Sequence, residues 1–144
     1  MDQVKRYQLT PAILLRLMNS EQNSAANYNL LMKMAPDKSA YEIIEAIYEE
    51  ELLHLEKLNH LYKQTAWSQP KLKTPEKPSF SKYIDGLKQS ILEELDTYNE
   101  YCNIYTDNSN ADLRNTFFSL LSDENRHAAK LNYLYTNFIE KLLL

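Results

Sequence analysis

Glu50-Glu51-Leu52-Leu53-His54 returns 73 positions later as Asp123-Glu124-Asn125-Arg126-His127, two adjacent acids followed by a histidine. Residues three apart on a helix are neighbours on one face, so Glu51 with His54, and Glu124 with His127, each turn a carboxylate and an imidazole the same way. Thirty positions before each pair stands another glutamate, Glu21 and Glu94, related by the same offset. Four carboxylates and two imidazoles, one set from each of four helices, are the donors that two first-row metal ions take.

The repeat extends beyond these six residues. At the same spacing Tyr28 maps to Tyr101, Leu31 to Ile104, Ile47 to Leu120, Leu58 to Leu131, Leu61 to Leu134 and Tyr62 to Tyr135, which reads as a duplicated helical hairpin. Thr10 and Pro11 mark the start of the first helix, as a side-chain cap and a first-turn proline. That helix is expected over 11–34, and Pro36 and Asp37 end it. Ser39 with Glu42 reads as a capping box for a second helix over 40–64. A third is expected over 80–105 and, after the turn Asp107-Asn108-Ser109-Asn110, a fourth over 111–141. One glycine, Gly86, and no strict two-residue alternation argue against any sheet.

Residues 65–79 hold Pro70, Pro75 and Pro78 among polar residues, with no helical period. Fifteen or so residues at about 3.1 Å each span about 45 Å, more than the roughly 36 Å of a 24-residue helix. The expected fold is therefore all-α: a single four-helix bundle over 1–144 with a long crossover between its second and third helices. Trp67 is expected to pin that crossover to the bundle, and Cys102 to be a small core residue.

Height and face agree on where the six residues meet. Glu21 and Glu51 are equidistant from Pro36, and Glu94 and Glu124 from Ser109, so each antiparallel hairpin sets its two glutamates at one level. Along the second helix Ile44, Ile47, Glu51, His54, Leu58 and Leu61 form one stripe. Along the fourth, Phe117, Leu120, Glu124, His127, Leu131 and Leu134 do the same, so the ligand candidates interrupt apolar faces. Four buried carboxylates repel one another and resist desolvation unless cations balance them. Oxygen donors mixed with imidazole suit iron or manganese. Glu51 and Glu124 are the expected bridges between two ions about 3.5–4 Å apart, with Glu21 and Glu94 terminal.

Around this set, Glu50 and Asp123 are candidates to accept a hydrogen bond from the outer nitrogen of a ligand histidine. Tyr28 and Tyr101, two turns from Glu21 and Glu94, are candidates to cap the centre. Glu93 competes with Glu94 by position, and the repeat assigns the role to Glu94. His60 and Glu45, Glu49, Glu56 and Glu100 read as solvated.

Composition narrows the remaining classes. With 144 residues, 44% hydrophobic and 25% charged, the chain has enough apolar residues for a sizeable core. A net charge of -4 with scattered lysines leaves no footprint for nucleic acid. The apolar run Ala12 to Leu15 after Lys5 and Arg6 is broken by Arg16 too early for a signal peptide, and no run approaches the ~20 residues of a membrane span. A lone cysteine forms no internal disulfide, and a cytoplasmic location is expected.

One glutamate from each of two helices and Glu-x-x-His from each of two others resemble the ferritin-like di-iron carboxylate superfamily, over about Thr10 to Lys141. Asp123-Glu124-Asn125-Arg126-His127 is similar to the Asp-Glu-x-Arg-His form of oxygen-activating relatives, where the aspartate orients a ligand histidine. The compact rubrerythrin-like branch is the most similar, although one cysteine cannot build a rubredoxin module, so any electron donor is separate. The resemblance implies two iron ions, with manganese as the alternative, and redox chemistry with dioxygen or hydrogen peroxide, as peroxide reduction or ferrous oxidation. A storage module and a manganese catalase-like enzyme are the competing expectations, and a homodimer is the expected assembly.

Overall fold

The computed structural model describes residues 8–144, so Lys5 and Arg6 lie outside the described residues. Four helices follow in order: α1 (Pro11–Met34), α2 (Lys38–Ala66), α3 (Tyr83–Asp107) and α4 (Ala111–Leu143), with no strand among the described residues. They form an all-α four-helix bundle. Thr10 caps α1 as its sequence implies, its hydroxyl accepting from the Ile13 amide at 3.2 Å. Asn110 caps α4 by accepting from the Leu113 amide at 3.0 Å.

Three starts and covers differ from the sequence reading. Asp37, not Ser39, caps α2: its Oδ1 accepts from the Ala40 amide at 2.8 Å, while its Oδ2 takes the Lys141 ammonium at 2.9 Å. The helix therefore begins at Lys38, and the Ser39–Glu42 box does not form the cap. The third helix begins at Tyr83 instead of residue 80, because Phe80 leaves the helical path and lays its ring beside Gly86. A Cβ at Gly86 would lie 2.7 Å from that ring and from Leu31 Cδ2, so the close approach depends on the missing side chain. Trp67 does not pin the crossover: it terminates α2 in a left-handed conformation (φ 55°) with its ring 90% exposed.

Side-chain amides of α1 hold the crossover in its place. Asn19 Oδ1 accepts from the Lys73 amide (2.9 Å), Asn23 Oδ1 accepts from the Glu76 amide (3.0 Å), and Gln22 Nε2 donates to the Lys73 carbonyl (2.6 Å). An extended segment without partners in a ladder needs such acceptors and donors. Cys102 is half-buried and lies beside Tyr98, outside the core proper.

Within the bundle α1 packs on α2 and α3, and α4 on α3 and α2, leaving α1/α4 and α2/α3 as diagonals. Contacts of Tyr28 with Glu94 and of Tyr101 with Glu21 fix α1 and α3 as antiparallel. Contacts of His54 with Asp123 and of His127 with Glu50 do the same for α2 and α4. The core divides into two apolar clusters. One gathers Leu31, Ile44, Ile47, Leu87, Leu131 and Leu134; the other Leu14, Leu17, Leu58, Ile104, Phe117 and Leu120. Each such side chain contributes about 1.5–3 kcal/mol on leaving water. Between the clusters lies the polar belt.

Candidate metal centre

Every helix brings one element of the belt inward. Glu21 (α1), Glu51 and His54 (α2), Glu94 (α3), and Glu124 and His127 (α4) are at most 3% exposed. They fall into two overlapping groups, Glu21-Glu51-His54-Glu124 and Glu51-Glu94-Glu124-His127, whose donor atoms lie within 4.8 Å of one another in each group. Glu51 and Glu124 belong to both. The two imidazole rings are stacked with centroids 5.8 Å apart.

Inside the belt the donors face one another without bonding. Glu21 Oε2, Glu51 Oε1, His54 Nδ1, Glu94 Oε2, Glu124 Oε1 and His127 Nδ1 are all buried and lack a hydrogen-bond partner. His54 Nδ1 is 2.8 Å from Glu124 Oε1, and His127 Nδ1 is 3.0 Å from Glu51 Oε1, close in distance yet misdirected for a hydrogen bond. One orphaned atom from each of six residues, converging in a sealed space, leaves a gap in polar satisfaction that a cation would fill.

Outside the belt each donor is held. His54 Nε2 lies 2.9 Å from Asp123 Oδ2 and His127 Nε2 2.8 Å from Glu50 Oε2, so the pair that adjoins Glu51 and Glu124 in sequence serves the histidine of the opposite hairpin. A proton given outward at Nε2 keeps the Nδ1 lone pair pointing inward in the neutral ring. Arg126 then joins the two carboxylates, donating to Glu50 at 2.7 Å and Asp123 at 2.9 Å. Its part in the site is absent from the sequence reading, although the Arg stands within the quoted motif. Tyr28 donates to Glu94 Oε1 at 2.5 Å and Tyr101 donates to Glu21 Oε1, each crossing to the neighbouring helix.

Burial and crowded like charges favour protons on the belt wherever no cation balances them. Burial, and next the charges of Glu21 and Glu124, hold the Glu51 carboxyl well above the usual range; burial and the Glu21 charge do the same for Glu124. For His54 burial opposes the charge, but the hydrogen bond to Asp123 and the nearby carboxylates of Glu124 and Glu21 outweigh it and push the ring up to about 12. Burial also opposes ionisation of Glu21, yet the adjacent Glu51 carboxyl and His54 ring and the hydroxyl of Tyr101 together lower it. Glu50 and Asp123 are lowered too, against their burial, by the facing histidines and Arg126. Burial and then the nearby glutamates raise both tyrosines well above the ordinary phenol range, so their hydroxyls remain donors.

Glu93, the positional rival of Glu94, turns outward and accepts from Gln89 at 2.9 Å. His60, Glu49 and Glu56 are exposed, while Glu100 pairs across the α1/α3 seam with Arg16. A profile of the rubrerythrin family matches residues 12–135, nearly the whole described chain. The chain belongs to the rubrerythrin family. No curated protein matches it. Among solved structures, a conserved hypothetical protein from Mycobacterium tuberculosis superposes with a TM-score of 0.74 at 13% identity, over 85% of this chain and 94% of that one, a likeness of fold. The buried carboxylate and histidine cluster of this member of the rubrerythrin family fits a di-iron site. No described helix is long and apolar enough to cross a membrane.

Proposed function

We propose that the belt is a dinuclear iron centre performing redox chemistry with hydrogen peroxide or dioxygen, as peroxide reduction or ferrous oxidation. The observation that carries this reading is the convergence of six buried, unpartnered donor atoms from two matched triads. Glu21 and His54 would hold one ion and Glu94 and His127 the other, with Glu51 and Glu124 shared. Bound iron supplies the reducing electrons and a Lewis-acidic seat for the oxidant.

The rest is work of the chain. Asp123 and Glu50 keep a proton on each outer imidazole nitrogen, which fixes both rings and raises their basicity. Tyr28 and Tyr101 hold one oxygen of Glu94 and of Glu21, leaving the other oxygen free to turn inward. The apolar clusters above and below exclude bulk water, which keeps these interactions strong.

Anaerobic loading with ferrous ion should saturate at two per chain, and hydrogen peroxide should then give a rapid absorbance change that the Glu51→Ala variant lacks. Oxidation no faster than in that variant would defeat the proposal, and uptake of many irons per chain would favour storage.

A further inference from the structure

The inner face of α3 carries a polar group that the belt does not use. Ser90 stands one turn before Glu94, and residues four apart on a helix share a face, so the two side chains are neighbours. Ser90 is 2% exposed. Its Oγ is buried and has no hydrogen-bond partner among the described residues. An unpaired buried hydroxyl costs stability, so its presence calls for a physical reason.

A hydroxyl within a helix commonly satisfies itself on the carbonyl four residues earlier. Thr65 donates in this way to Leu61 at 2.8 Å, Thr116 to Asp112 at 3.0 Å and Ser122 to Phe118 at 2.7 Å. Ser90 does not make the equivalent bond to Gly86. Nor is it spent on Glu94, whose Oε1 takes the Tyr28 hydroxyl and whose Oε2 is itself without a partner. Two orphaned oxygens thus come from residues one turn apart. The repeat sharpens the contrast, because 73 positions before Ser90 stands Leu17, a buried member of the apolar core. One half has apolar bulk one turn before its glutamate; the other has a hydrogen-bonding group.

We infer that the Ser90 hydroxyl is the hydrogen-bonding seat for the reactant of the centre, a small polar molecule of the size of hydrogen peroxide, beside the ion seat of Glu94 and His127. All six donor residues are at most 3% exposed, which suits a reactant of a few atoms and excludes a bulky one. The inference rests on the belt being a metal centre. It adds that the reactant meets the two ion seats unequally, since Leu17 offers no such bond beside Glu21 and His54.

Cobaltous ion and azide are the probes, the first filling the belt and the second standing in for the reactant, with visible absorbance reporting both. Ser90→Ala should take up cobalt as the natural chain does and bind azide roughly tenfold more weakly, the loss of one hydrogen bond to a charged group. Ser90→Thr keeps the hydroxyl and should retain most of the azide affinity. Ser122→Ala removes a hydroxyl already bonded to its own helix and should bind azide as tightly as the natural chain. The metal-free Ser90→Ala protein should melt no lower than the natural chain, because it loses only a buried group without a partner. Unchanged azide affinity in Ser90→Ala, or an equal loss in Ser122→Ala, would overturn the seat while leaving the metal centre standing. A lower melting temperature in Ser90→Ala would make the hydroxyl a structural bond and overturn the seat as well. So would a cobalt spectrum of the natural chain that azide does not alter. No cobalt uptake by the natural chain would overturn both.

Discussion

The hairpin α1–α2 and the hairpin α3–α4 agree at the belt and disagree outside it. Inward, Glu21, Tyr28, Glu51 and His54 match Glu94, Tyr101, Glu124 and His127, and each half supplies the other with a tyrosine hydroxyl and an acid for its histidine. Outward, Leu53 stands where the second half has Arg126, and Ser20, Asn23 and Asn27 stand where it has Glu93, Asp96 and Glu100. Inner residues are tied together by one shared centre, so a change in one half is felt by the other. Outer residues answer only to their own surroundings: amides on α1 receive the crossover, and the acids on α3 line a surface cavity beside it.

The sharpest way to break the inner equivalence is to remove the shared glutamates one at a time. Glu51→Ala and Glu124→Ala should each abolish binding of both ions in a cobalt titration, whereas Glu21→Ala and Glu94→Ala should each leave about one. Retention of one ion by either of the first two variants would show that the halves act separately.

Chelation comes next in size. Two ions bound at about 100-fold above their dissociation constants stabilise by about 5 kcal/mol together, so stripping them should lower the melting temperature by about 10 °C or more. The stripped protein should also respond to pH in a set direction. His54, carried from 6.5 to about 12, contributes stability in full below pH 6.5 and loses it as the pH rises towards 12. Glu51 and Glu124, raised well above 4.5, lose theirs over a range that begins near 4.5 and runs upward. Glu21, Glu50 and Asp123 are lowered and matter only at the acid end. Calorimetry of the metal-free chain should therefore show its melting point falling from about pH 6.5 to about pH 9, with metal flattening the slope; a rise would contradict proton-for-metal balance.

Tyr28→Phe and Tyr101→Phe test symmetry at finer scale. Each leaves a buried carboxylate oxygen without its donor, at a cost of about 1–3 kcal/mol, and the two losses should agree. Smallest should be the outer difference. Arg126→Leu makes the second half resemble the first, and because Arg126 is half exposed its loss should cost under about 1 kcal/mol of stability. Metal affinity should still fall about 10-fold, since both histidine-bound acids lose their link. Stability loss without any change in affinity would reduce Arg126 to a surface ion pair.

The belt was legible in the sequence because two constraints overlap there: a helical period that sets the face, and a repeat that sets the height. Glu93 against Glu94 was decided by the repeat, and the structure places Glu93 on the outer side. What escaped depends on which helices are neighbours. Period and repeat put Tyr28 near Glu21, but the antiparallel α1/α3 contact hands it to Glu94 instead. Caps escaped for a local reason, since Asp37 and Ser39 both suit the role and the Lys141 partner that favours Asp37 is far along the chain. Trp67 misled because an aromatic ring in a proline-rich stretch normally finds a groove, whereas here the amides of α1 already secure the segment.

That securing has a structural consequence. The segment from Trp67 to Lys82 ties together two hairpins, each supplying three of the six belt residues, and three polar bonds join it to α1. A protease nick near the exposed Ser68 or Gln69 would sever the polypeptide yet leave both pieces interlocked through their crossed tyrosine and histidine partners. Ions bound at the belt would then act as a rivet, and their chelation would loosen the cleaved molecule more than the intact one.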